Sequence, residues 1–246
     1  MSAGLVIDSV TAGYGPLQVV HEVDIEVAPG EVVCLLGPNG AGKTTTLLAA
    51  VGQLATTSGR ITIAGRHVSH RHPNRSAALG AAFVPDNRGL FLQLTVAENL
   101  RLVHPWRRPL AEVLELFPAL APLMKRKAGL LSGGEQQMVA LAKAVLFGPA
   151  VLLIDEMSHG LAPMIAERLL AMVRRLAKQQ GTAVLLVEQT VDIALAVSDR
   201  GYVMRRGRIV MTGSATEIAG ARDQLEAQYL GHAHEHVVSD TKCSIG

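Results

Sequence analysis

The segment G-P-N-G-A-G-K-T, from Gly37 to Thr44, leaves this chain few ways to fold. A loop that presents backbone N–H groups to a polyanion needs glycines, which tolerate left-handed dihedrals and keep side chains out of the anion's way. Gly37, Gly40 and Gly42 meet that need. The apolar run Val32 to Leu36 ahead of the loop reads as a buried strand, and Thr44 to Ala50 behind it has helical character. Strand, loop and helix in that order make a phosphate cradle at a helix N-terminus, whose partial positive charge favours an anion. In this reading Lys43 reaches the β- and γ-phosphates of a nucleoside triphosphate and the Thr44 hydroxyl serves Mg²⁺. Pro38, Asn39, Ala41 and Thr45 complete the cradle.

Further short apolar runs, Val151 to Ile154 and Ala183 to Val187, read as buried strands separated by a helical stretch from Ile165 to Gln180. Such alternation is an α/β layout. The first part of the chain differs: Val19, Val23, Ile25 and Val27 alternate, and the Arg60 to Ile63 run ends in a turn at Gly65, which predicts antiparallel strands flanking the core. From Thr95 to Phe147 the strand pattern gives way to helical periodicity, so an inserted helical subdomain is expected over about residues 90–147. The polar stretch from His232 onward reads as a disordered tail, leaving residues 1–231 as the folded unit.

At 246 residues the chain is long enough for a substantial core, and its net charge of +2 gives no basis for nucleic acid as the main partner. No apolar run approaches the roughly 18 residues of a membrane span, and Met1 to Val10 lacks the basic start of an export signal. Cytosolic residence is therefore expected. Cys34 lies inside an apolar strand and Cys243 near the end, which is no disulfide framework. His67, His70 and His72, and the group His232, His234 and His236, read as solvated loop and tail positions, not metal ligands.

The run V-L-L-I-D-E at Val151 to Glu156 is a strand ending in two carboxylates. Asp155 suits Mg²⁺, and Glu156 suits a base that orients or deprotonates an attacking water. Ser132 to Glu135, S-G-G-E before an apolar helix, is both a capping box and a helix tip stripped of side chains at Gly133 and Gly134. A cap alone needs no glycines, whereas close approach to a γ-phosphate does, so these residues are expected to close over a nucleotide held by a second subunit.

With the phosphate loop, L-S-G-G-E-Q-Q, the D-E strand and Tyr14 in A-G-Y-G, the chain resembles the ATP-binding subunits of ABC transporters from about Leu5 to Gly231. Within that family, E-L-F-P-A-L at Glu115, S-H-G-L-A-P at Ser158, V-E-Q at Val187, D-R-G-Y-V at Asp199 and Y-L-G at Tyr229 look like the second ATPase subunit of branched-chain (hydrophobic) amino acid uptake systems. The resemblance implies a P-loop NTPase core with an antiparallel β subdomain and an inserted helical subdomain, ATP and Mg²⁺ as cofactors, and ATP hydrolysis. Tyr14 would stack the adenine, and Asp86, in V-P-D-N-R where most of the family has glutamine, would reach Mg²⁺ or its water. Gln189 stands at the usual switch histidine; its amide donates a hydrogen bond and does not titrate. Ala162 replaces an aspartate common at the dimer interface, and Met157 a proline, which predicts a less rigid turn behind Glu156.

The implied partners are two integral membrane permease subunits, a second ATPase subunit or another copy of this chain, and indirectly an external solute-binding protein, at the cytoplasmic face of the cell membrane. Trp106, within the charged stretch Arg101 to Arg108, is a candidate for permease docking or a plain surface position. Urea, short amides and aromatic acids stay open as cargo, as do a lipid exporter and a soluble ABC protein as alternatives.

Overall fold

Two sheets lie on either side of a helix that begins in the phosphate loop. The computed structural model describes residues 4–68, 72–103 and 107–221. The antiparallel pair β1 (Leu5–Tyr14) and β2 (Leu17–Val27) turns its apolar residues to one face because side chains alternate along a strand. The expected inward position of Val19 is corrected: Val20 is buried and Val19 only half-buried. The register shifts between Val10 and Ala12 and a positive φ of 50° at Glu22 reset the alternation, as a β-bulge does.

The chain continues through β3 (Val32–Leu36), α1 (Lys43–Ala50), β4 (Thr56–Ile63) and β5 (Arg66–His67). It then runs through α2 (Pro73–Ala78), β6 (Ala81–Val84), α3 (Val96–Arg101), α4 (Leu110–Leu116) and α5 (Gly133–Phe147). Last come β7 (Val151–Asp155), α6 (Pro163–Gln180), β8 (Ala183–Glu188), α7 (Val191–Val197), β9 (Arg200–Arg205), β10 (Arg208–Ser214) and α8 (Ala215–Gly220). Among the described residues one sheet has the order β2-β1-β4-β5 and the other β10-β9-β3-β8-β7-β6. In the second, β3, β6, β7, β8 and β9 are parallel, and only β10 runs antiparallel, as a hairpin with β9.

Period-two alternation along unbroken apolar strands divides the core. Val151, Leu153, Ala183, Leu185 and Val187 face α1 and the β1–β2 sheet. Leu152, Ile154, Val184 and Leu186 face α5 and α6. A parallel sheet covered on both faces is expected to be apolar throughout, as these strands are. Truncating the fully buried Leu153 to Ala would cost about 2–5 kcal/mol, the range for deleting a packed aliphatic group.

Between β6 and β7 the described residues form helices and 3-10 turns, in line with the expected helical section. Asn99 organises its start: its amide donates to the carbonyls of Phe91 and Thr95, and its Oδ1 accepts from the Phe91 N–H. α6 buries Ala166, Leu169, Leu170, Val173, Leu176 and Ala177, a stripe at three- and four-residue spacing, and stops at Gly181 in the left-handed region. Cys34 is fully buried and burial pushes its thiol up to about 11, which makes it a core thiol. Trp106, His70, the C-terminal histidines, Cys243 and Tyr229 to Gly231 lie outside the described residues. No described helix is long and apolar enough to cross a membrane.

Candidate functional site

Strand register assembles the site. Leu36 of β3 pairs with Glu188 of β8, and Asp155 of β7 with Val187, so three parallel strands end level, side by side. The loops that leave them carry Lys43, Glu156 and Gln189. A crevice outside the carboxyl ends of parallel strands is the usual ligand position in such sheets.

The phosphate loop is pinned from behind. A Cβ on Gly37 would stand 2.3 Å from the Met204 carbonyl oxygen, so only glycine lets the loop lie against β9. Gly42 caps α1 at φ 108° with no side-chain bond to the helix N-terminus and no acidic residue in its first turn. The first N–H groups of α1 are thus left to an anion. Lys43, 5% exposed, folds across the loop and donates to the carbonyls of Gly37 at 2.8 Å and Pro38 at 3.1 Å. Its Nζ is 3.9 Å from Glu156 Oε1. Burial lowers the Lys43 pKa, and the negative charges of Glu156, Asp155 and Glu188 partly restore it. Pro38, Asn39, Gly40, Ala41 and Thr45 surround this group, with Asn39, Gly40 and Thr44 exposed.

Asp155 is buried at the end of β7, and its Oδ1 has no hydrogen-bond partner. Desolvation pushes its carboxyl up to about 6; Thr44 and Lys43 oppose the shift, while Glu156 and Asp86 add to it. An orphaned carboxylate oxygen beside the Thr44 hydroxyl, with an exposed Asp86 near enough to affect it, is an oxygen donor set that fits Mg²⁺.

Glu156 has φ +47°, unusual for a residue with a side chain, and its N–H donates to the Val187 carbonyl at 2.9 Å. Gln189 Nε2 donates to Glu156 Oε2 at 2.6 Å. The next residues are well tied: Met157 is buried in the core facing α5 and α6, and Ser158 bonds to Glu188 through its N–H at 2.9 Å and its hydroxyl at 2.5 Å. In place of a proline ring, the turn behind Glu156 has the buried Met157 side chain and the Glu188 bonds as its restraints. His159 is exposed, and Ala162 caps α6.

Ser132 to Glu135 form a cluster of their own on the helical section. The Ser132 N–H and hydroxyl both donate to Glu135 Oε2, at 2.7 and 2.9 Å, and the Glu135 N–H returns a bond to Ser132 Oγ. The bonds from Ser132 hold the Glu135 carboxyl below its usual range. Gly134 also has an internal reason to be glycine, because a Cβ there would lie 2.7 Å from Ile165 Cγ2 of α6. Arg88 links this cluster to the Asp86 loop by donating to Gln136 Oε1 at 2.5 Å. Tyr14 is 51% exposed at the tip of the β1–β2 hairpin, not a core aromatic.

The structure thus brings together Lys43, Thr44, Asp155, Glu156 and Gln189, with Asp86 beside them, and keeps Ser132 to Glu135 apart. Sequence reasoning gave no role to Glu188, Ser158 or Arg88. The signal for Glu188 was present: a charged residue closing the apolar run Ala183 to Val187.

A phosphate cradle and paired carboxylates at adjacent ends of a parallel sheet define a P-loop nucleotide-binding ATPase. The family model for ABC transporters matches residues 20–159, and the chain belongs to that family. Among curated proteins, it is 40% identical to the high-affinity branched-chain amino acid transport ATP-binding protein BraG of Pseudomonas aeruginosa, over 86% of this chain and 94% of that one. It is 35% identical to the probable branched-chain amino acid transport ATP-binding protein LivF of Archaeoglobus fulgidus, over 84% and 90%. Among solved structures, the ADP conformation of an ATP-binding cassette of an ABC transporter superposes with a TM-score of 0.83 at 26% identity, covering 94% of this chain and 100% of that one. The chain is a nucleotide-binding ATPase subunit of an ABC transporter.

Proposed function

We propose that this ATPase powers import of branched-chain amino acids or a related small amphipathic solute. The chemistry rests on one observation, the convergence of Lys43, Asp155, Glu156 and Gln189 at three level strand ends. The cargo rests on the names of its relatives in Pseudomonas and Archaeoglobus.

In this reading Gly37 to Thr45 hold the triphosphate, Lys43 turns from the loop carbonyls to the β- and γ-phosphates, and Tyr14 stacks the adenine. Thr44 and Asp155 would hold Mg²⁺, with Asp86 within reach of its water; the ion, when bound, neutralises charge on the phosphate oxygens. Glu156 accepts the proton of the attacking water, and Gln189 holds its carboxylate in place by donating to Oε2. Ser132, Gly133, Gly134 and Glu135 of a second subunit, another copy or a different ATPase, close over the nucleotide with the N-terminus of α5. Two permease subunits at the cytoplasmic face of the membrane receive the motion. Phe91, 60% exposed, and Leu130, 67% exposed, give the helical section an apolar surface for them.

Titration with ATP, with and without Mg²⁺, tests the site, and the expected result is affinity that depends on the metal. Absence of any adenine-nucleotide binding would overturn the reading. Uptake of leucine against urea, acetamide and benzoate, measured in proteoliposomes holding the whole transporter, tests the cargo.

A further inference from the structure

β8 does more than deliver Gln189. At its end the Val187 carbonyl accepts from the Glu156 N–H, Glu188 accepts from the N–H and hydroxyl of Ser158, and Gln189 donates to Glu156. The last two residues of β8 and the residue that follows them therefore hold the turn 156–158 at the backbone and carboxylate of the proposed base and at Ser158. Glu188 is 1% exposed, and burying a carboxylate is costly unless its oxygens accept hydrogen bonds. Ser158 donates to both of them.

We propose that Glu188 is a positioning residue for ATP hydrolysis: by gripping Ser158 it fixes the turn that presents the Glu156 carboxylate. The inference rests on the proposed role of Glu156. Glu156 needs such a grip because its φ of +47° is a conformation that a residue with a side chain keeps only under restraint. The two oxygens of Glu188 divide the work, Oε1 taking the backbone of Ser158 and Oε2 its hydroxyl. Ser158 in turn accepts at its carbonyl from the Leu161 N–H, just ahead of α6, so the gripped residue is tied on its far side as well.

The test uses steady-state kinetics and ATP binding on the full chain, with S158A, S158T, E188Q and the double variant E188A/S158A. A displacement of about 1 Å in a reacting group costs up to about a hundredfold, so S158A is expected to lower kcat about tenfold. ATP affinity should stay near wild type while the melting temperature falls, because Oε2 of the buried Glu188 loses its donor, and S158T, which keeps the hydroxyl, should recover most of both the turnover and the stability. E188Q, whose amide oxygen accepts one bond well, should fall between wild type and E188A/S158A. Wild-type kcat in both S158A and E188Q would overturn the proposal, and so would equal losses of kcat, affinity and melting temperature. If E188A/S158A does not fold, S158A and S158T decide alone. An inactive wild-type chain that binds no ATP would instead sink the ATPase reading itself.

Discussion

Gln189 Nε2 donates to Glu156 Oε2 at 2.6 Å, so a non-titrating amide holds the carboxylate that stands nearest Lys43 Nζ. The contact joins Gln189, which follows β8, to the proposed base, which follows the neighbouring β7. It makes the two a single unit in which changing either disturbs the other.

E156Q is expected to bind Mg-ATP as the wild type does and to lose turnover by about a hundredfold or more, the usual loss on removing a general base. Single-turnover hydrolysis alongside nucleotide titration checks both halves. Unchanged turnover removes Glu156 from that role.

For Q189A the expectation is smaller, about tenfold in kcat with little change in ATP affinity, because only orientation of Glu156 is lost. Q189H would add a titrating group near neutrality at a position where the wild type has none, since imidazole titrates there and the amide does not. A pH–rate profile of the two variants measures this.

Asp155 gives a pH signature in the nucleotide-free protein. Its carboxyl is pushed up to about 6 from 3.8, so between those values the folded state binds more protons than the unfolded one, and stability falls as pH rises. D155N removes that penalty. It should melt at a higher temperature than wild type above about pH 6, with the advantage fading as pH falls toward about 4, while Mg-dependent hydrolysis is lost. Thermal melts across that range, without nucleotide, decide the sign.

Gly134 separates an internal cause from an external one. G134A places a methyl against Ile165 and should cost about 1–3 kcal/mol by overpacking. The double variant G134A/I165A should regain stability. If it also regains ATPase activity, the glycine serves packing against α6; if activity stays low, the bare helix tip is needed for the nucleotide.

Much of this was legible from residue order. The apolar runs before Gly37 and Asp155 have strand length and lead into a glycine loop and a pair of acids, so β3, β7 and the phosphate loop follow from local pattern. The capping box at Ser132 is equally local, and the structure gives it the same bonds. The position of Val20 was not legible, because a bulge changes phase without changing composition. Nor were the Glu188 grip on Ser158 and the Arg88 bond to Gln136, which join residues 30 and 48 positions apart and arise only when strands align or a helix packs beside a loop. Gly134 was legible as a glycine but not for its contact with α6.

The level ends of β3, β8 and β7 leave no intermediate way for the site to fail by misalignment. A slip of one residue in β8 would turn Glu188 and Gln189 to opposite faces of the sheet and part them from Ser158 and Glu156 together. Changes of rate on this frame are therefore expected from side chains exchanged in the turns, while the lengths of the strands beneath them stay locked.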